Sequence, residues 1–148
     1  MHGIVHTGPS PEQDLTRYSV GLLDWSGHTM AFVNAHLNWG DYAQTEEQVR
    51  EVEAAATELV EKYPGATVMV TGDFNHPRQS LRCPGFESLL DLNVATHDDG
   101  GHYDHLFLKL GSGVELATRQ ATVLSWCTED GAPLSDHKGL LLQLVRGR

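Results

Sequence analysis

Polar and apolar positions change period several times along this chain, and each change marks an element. Arg17 to Trp25 and His28 to His36 are two runs of strand-forming residues separated by Ser26-Gly27. Two such runs joined by a small polar residue and a glycine predict a β-hairpin. The period then lengthens. Val49, Val52, Ala56, Leu59, Val60 and Tyr63 recur mostly at three- and four-residue steps and draw one apolar stripe, which predicts a helix over 45–63. Thr45-Glu46-Glu47-Gln48 reads as its capping box, with acids in the first turn, and Pro64-Gly65 as its stop. The following run, Ala66-Thr67-Val68-Met69-Val70-Thr71, is almost wholly apolar and β-branched, as in a strand covered on both faces.

Farther on, the pattern predicts a short helix from Phe86 to Leu92. It predicts strands at Tyr103 to Lys109, Val114 to Leu124 and Gly139 to Val145. Residues 1–14 include Gly8-Pro9-Ser10-Pro11 and read as a loop segment ahead of a single domain over 15–148. Helix and strand mix, with sheet dominant, so the expected class is α/β (α+β).

Composition narrows the function classes. The 148 residues are 40% hydrophobic and 20% charged, which suits one folded domain. The formal charge of −10 argues against a non-catalytic nucleic-acid clamp, because holding DNA or RNA by phosphate neutralisation needs a basic surface. A phosphoesterase remains open, since a bound divalent cation controls the field at such a site. There is no apolar run of the ~18 residues a membrane span needs. Met1-His2-Gly3-Ile4 does not open an export signal, so a cytoplasmic location is expected. Cys83 and Cys127 are far apart, which excludes a zinc site built on paired thiols. One disulfide stays open, and two separate thiols are the expectation.

Four polar signatures sit at predicted strand ends. In Val33-Asn34-Ala35-His36-Leu37-Asn38, alternate side chains of an extended chain share a face, so Asn34, His36 and Asn38 point together. In Gly72-Asp73-Phe74-Asn75-His76, Asp73 and Asn75 project to one side of the strand end while Phe74 anchors the loop beneath. A carboxylate and an amide so placed can take a proton from water and steer it. In Tyr103-Asp104-His105-Leu106-Phe107-Leu108, Asp104 is an acid within an apolar strand and needs a partner, most naturally an imidazole. In Ser135-Asp136-His137, the adjacent acid and imidazole cannot share one face, so each serves a separate neighbour.

Taken together and in this order, these signatures resemble the endonuclease/exonuclease/phosphatase superfamily from about Tyr18 to Val145. The resemblance implies about half of a four-layer α/β/β/α sandwich, a β-sandwich-derived sheet with flanking helices. It also implies roles. His36 would hydrogen-bond the scissile phosphate, Asp73 would orient or deprotonate the attacking water, and Asn75 would fix that water. Asp104 would orient His137, which would stabilise charge on the phosphoryl oxygens. Asp136, with Asp73 and Asn75, would hold Mg²⁺ or Mn²⁺, the metals that oxygen donors favour. The implied activity is Mg²⁺-dependent hydrolysis of a phosphoester by activated water, of the endonuclease or exonuclease type, with DNA or RNA among the substrates.

The family's site also uses an Asn at the end of its first strand and a Glu in a Gln-Glu pair that binds metal. This chain has no Gln-Glu pair. The remainder of the sandwich is therefore expected from an upstream stretch with Met1 internal, from a separate polypeptide, or from a homodimer partner. The alternative is a catalytically weak or inactive fragment kept as a subunit or interaction module.

Overall fold

The computed structural model describes residues 18–147 apart from Gln79 and Leu92, so the predicted loop at 1–14 and the boundary at 14/15 lie outside the described residues. The chain begins with β1 (Tyr18–Trp25) and β2 (His28–His36), paired antiparallel from Tyr18↔Ala35 to Trp25↔His28. Their turn residues Ser26 and Gly27 have φ of 53° and 79°. Positive φ at both positions is the turn whose twist matches that of the two strands.

Helix α1 (Tyr42–Lys62) follows and then β3 (Thr67–Asp73), which lies parallel to β2 with His36↔Asp73 as the last pair. The helix starts earlier than the sequence pattern predicts. Its cap is Asp41, whose side chain accepts from the amides of Ala43 and Gln44, and no acid occupies the first turn. The Thr45 capping box does not form. Thr45 is buried inside the helix, its hydroxyl 2.9 Å from the Asn38 carbonyl and 2.8 Å from that of Asp41. Asp41 wins because its short carboxylate reaches two otherwise unpaired amides.

The stripe predicted on α1 is the buried one. Val49, Val52 and Ala56 have no exposure, and with Leu59 they meet Ala31, Val33, Ala35, Val68 and Val70 in one cluster. The opposite face of β3 is less covered than expected, since Met69 and Thr71 are only half-buried.

β3 pairs antiparallel with β5 (Asp104–Lys109), and β5 with the two-residue β4 (Glu87–Ser88). The sheet order is β1-β2-β3-β5-β4. The helix predicted at 86–92 is thus a correction: Glu87 and Ser88 pair with Leu108 and Phe107 instead. Backbone groups beside an open strand edge find partners in the ladder, which a six- or seven-residue helix cannot match.

β6 (Leu116–Leu124) and β7 (Gly139–Arg146) form a separate two-stranded antiparallel sheet. The described residues are mixed α+β, strands in two sheets with one helix, the arrangement of half a layered sandwich. Cys83 is buried and Cys127 exposed, and both are free thiols. No helix among the described residues is long and apolar enough to cross a membrane.

Candidate active site

The strand register builds the site. His36 ends β2, Asp73 ends β3 and Asp104 begins β5, and the pairings His36↔Asp73 and Asp73↔Asp104 put the three side by side across the sheet. Alternation also separates the faces. Val33, Ala35 and Leu37 turn into the core under α1, while Asn34, His36 and Asn38 are exposed on the other side.

Gly72 makes this close approach feasible. Its φ is 131°, and a Cβ there would lie 1.9 Å from the Ala35 carbonyl oxygen on β2, so no larger residue can precede Asp73 without parting the strands. Phe74 next turns wholly inward and packs edge-on against His105 and Phe107. Asn75 takes a left-handed φ of 47°, which asparagine tolerates better than most residues. Its amide nitrogen donates to Asp73 Oδ1 at 2.8 Å, and its side-chain nitrogen donates to the Leu37 carbonyl at 2.8 Å. The loop is therefore stitched to both β3 and the end of β2.

The fourth group arrives from the segment before β7. His137 Nδ1 is 2.9 Å from Asp104 Oδ2, a hydrogen bond, and its Nε2 is 3.6 Å from Asp73 Oδ2. On the other side of Asp73, His36 Nε2 lies 3.6 Å from the same oxygen. One carboxylate thus sits between two imidazoles, at distances that leave its outer oxygen without a direct hydrogen bond to either.

Environment tunes these groups. Burial pushes the Asp73 pKa up, the Asn75 amide and the two imidazoles oppose this, and the Asp104 charge adds to the rise. For His137, burial disfavours the cation. The hydrogen bond to Asp104 and the charges of Asp104, Asp73 and Asp136 outweigh it, and its pKa is raised. A carboxylate made more basic beside an imidazolium made more persistent is an arrangement that can accept a proton and stabilise negative charge.

Asp136 lies next to His137 in the segment before β7. Its side chain is 72% exposed and its Oδ2 lies 3.6 Å from His97 Nε2, while Asp73 and Asp104 are register partners on β3 and β5. Its backbone nevertheless helps to seat His137, because the Asp98 amide donates to the Asp136 carbonyl at 2.9 Å and Lys138 N to the Thr96 carbonyl at 2.8 Å.

Two contributors escaped the sequence reading. Thr96 is fully buried, and its hydroxyl oxygen accepts from the amides of Tyr103 and Asp104 at 3.0 Å each, which sets the start of β5. His97 pairs with His137 as an isolated bridge, their rings edge-on with centroids 4.7 Å apart. A buried-sized polar pair just ahead of a glycine turn was the available signal, and it is weak.

The oxygen donors among these residues suit a hard divalent cation such as Mg²⁺. Mg²⁺ needs several oxygen ligands in near-octahedral array. Asp73 Oδ1 accepts from Asn75 N and Asp104 Oδ2 pairs with His137, while Asp73 Oδ2 has no direct hydrogen bond to either imidazole and Asp136 Oδ2 lies 3.6 Å from His97 Nε2.

A row of acid and imidazole groups lies at the mouth of a helix-backed sheet, with a small second sheet beside it, in the arrangement of half a layered sandwich. The solved structures agree on the fold. TDP2 from Caenorhabditis elegans matches with a TM-score of 0.72 at 18% identity, covering 98% of this chain and 50% of that one. TDP2 from D. rerio, complexed with a single strand DNA product, matches at TM-score 0.64 and 15% identity, over 83% of this chain and 59% of that one. An endonuclease/exonuclease/phosphatase family protein from Bacteroides thetaiotaomicron matches at 0.55 and 18%, over 86% and 55%. The chain therefore has the endonuclease/exonuclease/phosphatase fold and spans about half the length of these structures. No family model and no curated protein matches its sequence.

Proposed function

We propose that this chain supplies the phosphate-handling half of a phosphodiester-hydrolysing active site that works by activated water. The observation that carries this reading is the row His36–Asp73–Asp104 on three adjacent strands, with His137 held against both acids.

Asp73 takes a proton from the attacking water, which its raised pKa favours, and Asn75 holds the Asp73 carboxylate in place. His36, exposed at the β2 end, donates to a phosphate oxygen. Protonated His137 faces the charge that develops on the phosphoryl oxygens, with Asp104 orienting its ring through Nδ1. The reading includes a divalent cation, Mg²⁺ or Mn²⁺, which would stabilise the leaving oxygen. Most of its oxygen ligands come from outside the described residues, with Asp136, Asp73 and Asn75 as the ligands this chain would lend. The proposed substrate is a phosphodiester of single-stranded DNA or RNA, by analogy with the D. rerio structure, and the proposed location is the cytoplasm. The domain over 15–148 is the unit proposed to carry the site.

The test is hydrolysis of single-stranded DNA, RNA and a sugar phosphate with Mg²⁺ or Mn²⁺, by this chain and by a version extended with an upstream half. Asp73→Asn and His137→Asn are each expected to lower kcat/KM by about 10²–10⁴-fold. Activity needs Asp73 ionised and His137 protonated, so both limbs of the pH profile lie above the usual carboxylate and imidazole values. Asp104→Asn should move the basic limb down, because Asp104 is what raises His137. Unaltered rates in both Asp73→Asn and His137→Asn would overturn the reading, and no hydrolysis by either protein would favour an interaction module.

A further inference from the structure

We propose that His97, Asp136 and His137 form a second metal site, specific for a borderline transition-metal dication such as Zn²⁺, and that filling it silences the phosphoesterase centre. One ligand atom from each residue lies within 4.8 Å of those of the other two. Two imidazoles and one carboxylate are a donor set for Zn²⁺ and not for Mg²⁺, and three protein ligands leave the fourth tetrahedral position to water.

The second observation concerns how the rings are held. His97 Nδ1 is 2.9 Å from Asp99 Oδ1, and His137 Nδ1 is 2.9 Å from Asp104 Oδ2. An imidazole whose Nδ1–H is given to a carboxylate presents the Nε2 lone pair outward, and this carboxylate–histidine pairing is the usual support of a metal-binding histidine. The Asp99 amide also lies 3.2 Å from His97 Nδ1 and would suit the opposite tautomer. The shorter, charge-assisted contact to the carboxylate decides for Nδ1–H.

The backbone is set in advance of any ion. The His97↔His137 bridge, the Asp98 N to Asp136 carbonyl bond and the Lys138 N to Thr96 carbonyl bond clamp the two ligand segments together. The open side faces solvent, with Asp136 72% exposed.

Occupancy has a direct consequence. His137 Nε2 is the nitrogen that faces Asp73, and a metal bound there removes it from the phosphate and keeps the ring deprotonated. The inhibitory half of the proposal rests on the roles of His137 and of Asp136, which is also lent to Mg²⁺, under the proposed function; the binding half does not.

The test begins with Co²⁺ titration of the full chain, followed by visible absorption and by calorimetry, then displacement by Zn²⁺. The expected result is one ion per chain with the intense bands of a tetrahedral centre. Asp99→Asn should weaken binding by about 10–100-fold, and His97→Gln should weaken it further. Zn²⁺ should inhibit Mg²⁺-supported hydrolysis, and Asp99→Asn should need about 10–100-fold more zinc for the same inhibition. Circular dichroism of each variant checks folding, and Asp99→Asn serves if His97→Gln does not fold. No saturable binding, or affinity unchanged in both variants, overturns the proposal. Binding without inhibition supports the site and refutes the roles given to His137 and Asp136. Absent hydrolysis refutes the proposed function, while the Co²⁺ titration still decides the metal site.

Discussion

The helix-backed sheet and the β6–β7 pair are built from similar strands and differ in what covers them. In the first, α1 lies over β2 and β3, and the fully buried side chains Val33, Val49, Val68, Phe74 and Phe107 meet in one cluster. In the second, alternate leucines of β7 are half-covered, and Leu141 and Val145 are 52% and 42% exposed. Residues of β6 and β7 contribute nothing to the central cluster. A two-stranded sheet has little independent stability in water, so the first region is the rigid frame and the second depends on its attachments. The site straddles the two. His36, Asp73 and Asp104 stand on the frame, while His137 belongs to the segment that enters β7 and is held by Asp104, by His97 and by the Thr96 carbonyl. Positioning Asp73 is therefore a matter of core packing, and positioning His137 is a matter of a few polar bonds.

Truncation inside the frame should separate the regions most. Phe107→Ala, fully buried and stacked on His105, is expected to cost about 3–5 kcal/mol. Leu141→Ala on β7 should stay within about 0.5 kcal/mol. Urea unfolding measures both, and comparable losses would erase the distinction.

Acid should attack the frame as well. His105 has no exposure, and burial lowers its pKa from 6.5 to about 4. Between those values the unfolded chain binds a proton that the folded chain does not. Stability is therefore complete above pH 6.5, falls as pH drops toward 4, and loses nothing more from this group below that. The whole effect is of the order of 3 kcal/mol. His105→Phe should flatten this slope in denaturation midpoints measured across the window, and an unchanged slope would assign it to other groups.

The smallest effect should come from the link between the sheets. Arg119 on β6 pairs with Glu87 on β4, and both are largely exposed. Screening limits such a pair to at most about 0.5 kcal/mol. Arg119→Ala should leave the midpoint nearly unmoved, and a large loss would show that the second sheet is fastened there.

Local pattern made much of this molecule legible. The Ser26-Gly27 hairpin, the apolar stripe of α1, the β3 run and the later strands are all periodicities within one element, which a chain displays whether or not it is folded. The candidate residues were legible for a related reason. Asp73, Asp104 and His137 are polar groups lodged where the surrounding pattern is apolar or turn-like, a choice that costs stability unless function or pairing offsets it. Only the tertiary structure decided the rest. That Glu87-Ser88 is a strand depends on β5 lying alongside, and a short segment has no local preference strong enough to announce it. The His36–Asp73–Asp104 row is a fact of register between strands far apart in the chain, and the meeting of His97 with His137 spans forty residues. Such pairings are set by which backbones hydrogen-bond to one another, and a sequence read along its length carries the groups but not the distances between them.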